Sequence, residues 1–458
     1  MSVFRLARLT RPATIVRFPG KITTRARSVC SARNMSQETV LIPYSSRLNT
    51  GRALAQDVWS IFNPVNLPPD NINLGQGFMN FSPPQFVLDA AIEALGTTAA
   101  NHYSHPKGRI RLRQAIKNFY GPSFNKKDLD VENEILVTSG ANEGMLAVWT
   151  AFLEQGDEVI LFEPFFDQYL SNITFNGGVP VYVPLHPRTN ADDPVEVDWH
   201  IDFEELKRAI TLRTKIIVLN TPHNPVGKVF SKQELEGIAA LAREHNLMVM
   251  SDEVYDLLTF DGNEHVRIAN LPGMWERTVT ILSAGKAFAA TGWRIGYLIG
   301  PPSIIKPTLA ATTRIVFSCN SPMQEAAAAG LEQANERGFF EKQRAEYAER
   351  RAVLLDAFGR LGLKYTAPQG TYFALLDISS LRIPENYSFP KMLEGRGKDF
   401  KACWFMAHEV GVSAIPVSEF YCDEHRGIGE AYARFAFCKD VDTLKQAAER
   451  LQRLKEYL

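Results

Sequence analysis

The sequence predicts an α/β protein with an open, mostly parallel sheet sandwiched by helices and a smaller α+β region toward the C-terminus. Three observations carry this. From about residue 130 to residue 300, short apolar runs alternate with longer amphipathic segments, the pattern of a parallel sheet with helical crossovers. Several of those runs end on polar residues followed by a turn, and open α/β sheets bind ligands beyond the carboxyl ends of their strands. After Ser321-Pro322 the alternation gives way to long stretches with apolar residues at helical spacing.

Taken in order, strands are expected at Ile135–Thr138, Glu158–Phe162, Val179–Val183, Lys215–Asn220, Met248–Asp252, Thr278–Leu282 and Gly296–Ile299. Each is a short apolar run, too brief for a helix and bounded by turn residues. Helices are expected at Glu143–Phe152 and Lys232–His245, and later at Met323–Glu336 and Lys342–Leu361. Strands at Tyr372–Leu376 and Ala433–Phe437 flank a Pro-, Gly- and charge-rich loop at Ser379–Asp399 and a further helix.

Composition narrows the function classes. Lys and Arg total 50 against 51 Asp and Glu, a net charge of -1, so no basic field draws nucleic acid. Apolar runs are far shorter than a membrane span. Neither a nucleic-acid partner nor a membrane is expected. The five cysteines (30, 319, 403, 422 and 438) contain no Cys-x-x-Cys pair, which argues for a reducing compartment and against a disulfide framework or a zinc site. Residues 1–34 carry eight Arg and Lys residues and no acid; the first acidic residue is Glu38. An Arg- and Ser-rich, acid-free start is the composition of a mitochondrial transit peptide. Matrix localisation is therefore expected, with a cytoplasmic form arising if translation starts at Met35.

The strand ends hold the candidate chemistry. Ile135–Thr138 runs into Ser139-Gly-Ala-Asn142, where small residues open a helix N-terminus to an anion. Glu158–Phe162 runs into Glu163-Pro-Phe-Phe166, which offers a stacking ring. Two prolines flank Asn224 and stiffen its loop. The run Met248–Asp252 ends on an acid, followed by Tyr255. A carboxylate at the end of a buried strand is costly unless it meets a positive charge. Thr278–Leu282 ends in Ser283-Ala-Gly-Lys286, with Arg294 eight residues on. A lone lysine is nearly always a surface residue, but this one sits among Ser, Ala and Gly that let a bulky ligand approach the backbone. A flat, anionic, carbonyl-bearing ligand would use all of these groups, and pyridoxal 5'-phosphate (PLP) has that chemistry.

Here the sequence resembles the fold-type I PLP enzymes, class I/II aminotransferases, and within them the kynurenine aminotransferase, glutamine transaminase K and cysteine-S-conjugate β-lyase group. The resemblance rests on Asn73-Leu-Gly-Gln-Gly-Phe78, Glu163-Pro-Phe-Phe-Asp167, Asn220-Thr-Pro-His-Asn-Pro225, Ser251-Asp-Glu-Val-Tyr255, Ser283-Ala-Gly-Lys286 with Thr291-Gly-Trp-Arg294, Pro368-Gln-Gly-Thr-Tyr-Phe373, Ala414-Ile-Pro-Val-Ser418 and Ala433-Arg-Phe-Ala-Phe437. It runs from about residue 50 to the C-terminus.

The resemblance implies a seven-stranded-type sheet in a large domain at 76–320, a small domain at 321–458, and an arm at 35–75 packing on the small domain. It implies Lys286 as the Schiff-base lysine and Asp252 as partner of the pyridine nitrogen. Tyr255 and Asn224 would bond the phenolic oxygen, and Phe166 would stack on the ring. Phosphate would meet Ala141, Asn142, Ser283 and Arg294, with Tyr103 reaching the neighbouring subunit of a homodimer. Arg434 would clamp the substrate carboxylate, helped by Gly77 and Asn224, with Trp59 lining the pocket. Phe81 and Tyr103 are expected to add aromatic walls. The implied reaction is transamination of kynurenine, glutamine or an aromatic amino acid with a 2-oxo acid, giving kynurenic acid from kynurenine. The alternatives are β-elimination from cysteine conjugates, a broad aromatic or aspartate-type aminotransferase, and a non-catalytic regulator of the same fold. Met79-Asn80, His223 and the 379–399 loop depart from the group's pattern and bear on substrate choice.

Overall fold

The computed structural model describes residues 42, 44–49, 57–189 and 195–458, so the basic leader and Met35 lie outside the described residues. Residues Ser45–Leu458 form one compact unit. Its strands are β1 (Ile72–Asn73), β2 (Ile135–Thr138), β3 (Glu158–Glu163), β4 (Val179–Thr189), β5 (Val197–Ile201), β6 (Thr214–Asn220), β7 (Met248–Asp252), β8 (Thr278–Ser283), β9 (Gly296–Ile299), β10 (Phe373–Asp377), β11 (Val412–Ser413), β12 (Ile415–Pro416) and β13 (Tyr432–Ala436).

Eight of them form one sheet in the order β2-β9-β8-β7-β6-β3-β4-β5. The pairs β3–β4, β3–β6, β6–β7 and β7–β8 are parallel. Strand β9 runs antiparallel to both β2 and β8, and β5 antiparallel to β4. The eighth strand, β5, and the extension of β4 to Thr189 exceed the sequence expectation. Val-Asp-Trp-His-Ile alternates buried and half-buried along β5, a period-two signal legible in the sequence.

Side chains alternate across the sheet. Leu136, Val159, Leu161, Ile216, Val218, Val279, Ile281 and Leu298 share one apolar cluster. Ile135, Val137, Leu282, Tyr297 and Ile299 face a second on the other side, and Ile160, Phe162, Ile217 and Leu219 a third. Both faces are therefore covered, which is why these strands read as continuous apolar runs. A second sheet, β10-β13-β12, is antiparallel, and β1 pairs in parallel with β11. Among the described residues no helix is long and apolar enough to cross a membrane.

Register places the site. Asn220 of β6 pairs with Asp252 of β7, and Asp252 with Ile281 of β8. Gly296 of β9 pairs with both Ser283 of β8 and Thr138 of β2. Hence the carboxyl ends of β2, β6, β7 and β8 and the amino end of β9 lie on one edge. Lys286 and Arg294 follow or precede that edge by three residues or fewer.

Candidate active site

One pocket on this edge is lined by Trp59, Gly77, Ala141, Asn142, Met145, Phe166, Asn220, Asn224, Asp252, Val254, Tyr255, Ser283, Lys286, Arg294, Phe373 and Arg434. It gathers every site residue expected from the sequence except Tyr103 and Phe81. A second, polar groove lies beside β4 and β5, and its buried cation Lys228 is already paired with Glu234 at 3.0 Å. Only the sheet-edge pocket collects convergent, unsatisfied charge among these two.

The anion seat is built by glycine and a helix start. Gly140 has φ +79°, and a Cβ there would come within 2.3 Å of Arg294 Nη2. A Cβ on Gly296 would meet Ala141 N at 2.6 Å. The 12-residue helix Ala141–Phe152 begins at this point, and its free N–H groups favour an anion. Glu143 Oε2 accepts the Ser139 N–H at 2.9 Å and fixes the turn. Ser283 precedes the short helix that carries Lys286.

Asp252 is 4% exposed, and its carboxyl is pushed up to about 6, chiefly by burial. Tyr169 Oη donates to its Oδ2 at 2.5 Å, leaving Oδ1 with only a long 3.4 Å contact from Val254 N. A buried carboxylate with a free oxygen suits a cationic N–H donor such as a pyridinium. Asn220 Nδ2 donates to the Asp252 carbonyl at 2.9 Å, and its Oδ1 accepts the Asn224 N–H at 2.8 Å. Asn220 thus locks the loop after β6. Asn224 Oδ1 accepts from Arg434 Nη1 at 3.1 Å. Arginine only donates, so the Asn224 Nδ2 is left to donate to a ligand oxygen.

Lys286 Nζ donates to Tyr372 Oη at 2.9 Å and lies 5.6 Å from the ring centres of Tyr255 and Tyr372. Phe166 lines the pocket and packs edge-on against Tyr169, centroids 5.5 Å apart.

Arg434 sits on β13, 2% exposed. Its Nη2 donates to Gly75 O at 2.9 Å and its Nε has no partner, while Asp167, whose charge reaches it, bonds Trp59 and Gln168 instead. Its plane lies over Phe373 at 4.3 Å, Phe420 at 5.1 Å and Trp59 at 5.6 Å. Burial lowers its pKa to about 10. Asp167 carries a buried carboxyl raised by burial; it accepts Trp59 Nε1 at 2.7 Å and fixes that indole against the pocket.

The structure adds to these expectations and alters one of them. Phe81 does not line the pocket; it packs under the Arg350 guanidinium at 4.4 Å. Tyr103 is 86% exposed and packs edge-on against Phe317 at 5.4 Å, outside its own chain's pocket, which leaves its expected reach to a neighbouring subunit as an expectation. The cysteines show no disulfide among the described residues, but ligand atoms of Cys422, His425 and Glu163 gather within 4.8 Å, a cluster the spacing analysis overlooked. Glu163 accepts the Cys422 N–H and pairs with His425 Nδ1, so the cluster satisfies itself by hydrogen bonding.

Sequence reasoning missed Tyr169, Tyr372, Asn220 and Asp167 as site supports. The departures noted above have structural uses. Asn80 bonds Asp440 and Thr443. Asp399, at the end of the 379–399 loop, accepts Ser418 N at 2.8 Å and Ser418 Oγ at 3.0 Å, anchoring the segment that brings Phe420 to Arg434.

A doubly covered sheet whose edge holds a lysine, a buried carboxylate and an anion seat defines a class, and over residues 69–451 the chain matches the model for aminotransferase class I and II; it belongs to that family. It is an aminotransferase of a family that uses PLP. A Saccharomyces cerevisiae protein described as "probable kynurenine–oxoglutarate transaminase" is 45% identical over 417 residues, covering 88% of this chain and 93% of that protein. The kynurenine–oxoglutarate transaminase of Dictyostelium discoideum is 43% identical over 410 residues, covering 87% and 94%. The crystal structure of Bna3p from Saccharomyces cerevisiae superposes with a TM-score of 0.85 at 43% identity, over 91% of this chain and all of that one.

Proposed function

We propose that the chain holds PLP at this edge and transfers the amino group of kynurenine, and of glutamine or aromatic amino acids, to a 2-oxo acid such as 2-oxoglutarate. The observation that carries the reading is Arg434: a guanidinium 2% exposed, with an unpartnered Nε, in the same pocket as Lys286 and Asp252. A buried cation left without a carboxylate awaits one from the ligand, and an arginine fork takes it in two places.

The residues fit the cofactor. The Ser139–Asn142 turn, Ser283 and Arg294 would hold its phosphate, Asp252 its ring nitrogen, Asn224 and Tyr255 its phenolic oxygen, and Lys286 its aldehyde carbon. Phe166 would cover one ring face. When bound, PLP supplies an electron-withdrawing ring that stabilises charge on the amino acid's Cα. Arg434 and Asn224 fix the substrate so that the Cα–H bond faces the Lys286 amine. Lys286 would act as the base that takes the Cα proton and the acid that gives a proton back. Trp59, held by Asp167, and Phe373 wall the pocket with flat apolar surface, which suits an aromatic donor. The relatives' names carry the same donor and acceptor.

The exposed Tyr103–Phe317 pair supports a homodimer in which Tyr103 completes the neighbouring subunit's phosphate site. The test is a donor panel on the purified protein, with kynurenine, glutamine, methionine and phenylalanine against 2-oxoglutarate. Glutamate and kynurenic acid are the expected products with kynurenine. No amino transfer from any donor, or full transfer by Lys286→Ala, would overturn the reading.

A further inference from the structure

We propose that Tyr372 is the positioning residue for Lys286: its hydroxyl oxygen holds the amine at the pocket wall whenever that amine is not bonded to cofactor. This rests on the reading of Lys286 as the reactive amine. The direction of the hydrogen-bond chain carries it. Tyr372 Oη donates to Gly77 O at 3.0 Å, and Lys286 Nζ donates to Tyr372 Oη at 2.9 Å. A carbonyl can only accept, so the phenol's proton points to Gly77, with the Tyr255 hydroxyl as a further hydrogen-bond partner. The phenol oxygen therefore faces Lys286 as an acceptor. The amine spends one N–H on that contact and is held at the pocket wall.

The oxygen itself has little freedom. Tyr372 is fully buried, with its ring stacked on Tyr347 at 6.1 Å and 20°, and edge-on to Tyr255 at 5.2 Å and 87°. Burial holds its phenol protonated, well above the ordinary value of 10.0. The chain also makes room for this contact. A Cβ on residue 77 would lie 2.6 Å from Phe373 Cζ and 3.1 Å from Tyr372 Cε2, so Gly77 allows Tyr372 to approach its carbonyl.

A free lysine side chain samples many rotamers, and proton transfer demands an approach of about 3 Å. An anchored amine meets that demand; a free one seldom does. Tyr372→Phe removes the acceptor, and with it the hydrogen bonds to Gly77 O and Tyr255, while keeping the ring. In the PLP-loaded full chain, kcat is expected to fall about ten- to hundredfold, while KM for donor and 2-oxo acid stays within about twofold. The isotope effect with an α-deuterated donor should rise, because proton transfer becomes the slow step. The cofactor-free variant should also take up PLP more slowly, followed by absorbance.

Unchanged kcat and isotope effect would overturn the proposal, as would a fall in kcat that only mirrors lost folded protein. If the Phe variant does not fold, a fluorotyrosine at 372 weakens the oxygen as an acceptor with minimal change of shape; kcat must then fall at constant KM. Lys286→Ala separates the two ideas. If it abolishes transfer while Tyr372→Phe does nothing, the site reading stands and the positioning role fails.

Discussion

Asp252→Asn should make the cofactor-free protein more stable and the enzyme far worse. The Asp252 carboxyl is raised from 3.8 to about 6, chiefly by burial, with the Tyr169 hydrogen bond and the Lys286 charge pulling the other way. A carboxyl with a higher pKa folded than unfolded favours folding below its unfolded value, and that contribution is lost as pH rises through the folded value. A rise of about two units corresponds to ~3 kcal/mol. The cofactor-free chain therefore bears ~3 kcal/mol against folding at about pH 8, and roughly half of that at about pH 5. Asparagine removes the charge, and its carbonyl can still accept from Tyr169 Oη. The variant's advantage should approach ~3 kcal/mol at about pH 8 and shrink as the pH falls toward 4. Saturating PLP should reverse the order, because the ring nitrogen loses its charged partner. Urea unfolding of both proteins, with and without PLP, at about pH 5 and pH 8 measures all four differences. A variant less stable than its parent without cofactor at pH 8, or an advantage that does not shrink at lower pH, would refute the account.

Gly140→Ala forces a side chain onto φ +79° and within 2.3 Å of Arg294 Nη2; PLP affinity should fall about tenfold or more in a titration followed by absorbance. Arg434→Lys keeps the charge but loses the fork; kcat/KM should drop about a hundredfold for amino acid and 2-oxo acid alike, with the PLP dissociation constant unchanged. Tyr169→Phe removes a buried hydrogen bond to a charged group, worth about 1.5–3 kcal/mol. PLP should bind the variant about tenfold or more weakly, and the loss should grow as the pH is lowered, since Asp252 then protonates more readily.

The large sheet was legible because its strands are buried on both faces and so spell continuous apolar runs. Their polar last residues, Asp252 and the Ser283–Lys286 turn, stood out against that background and marked the ligand edge. Arg434 was found through resemblance to a family; its own strand gives no local sign of a carboxylate clamp. Tyr169 and Tyr372 were missed because their use depends on what lies opposite. Tyr169 is buried on a helix and meets Asp252 from 83 residues away, and Tyr372 meets Lys286 from 86. Phe81 erred the other way: an aromatic near a pocket motif reads as a wall, yet a guanidinium covers it.

The site is divided along the chain. The residues suited to the phosphate and ring lie between 139 and 294 and meet on the large sheet, whereas the carboxylate fork lies on β13, beyond residue 430. Strand β13 is the middle strand of its own sheet, between β10 and β12. In chain order the strand proposed to bind the substrate carboxylate thus follows every strand of the large sheet. A C-terminal truncation before Tyr432 removes the fork and the central strand together, so a shortened chain would forfeit substrate recognition even where its cofactor ligands remain encoded.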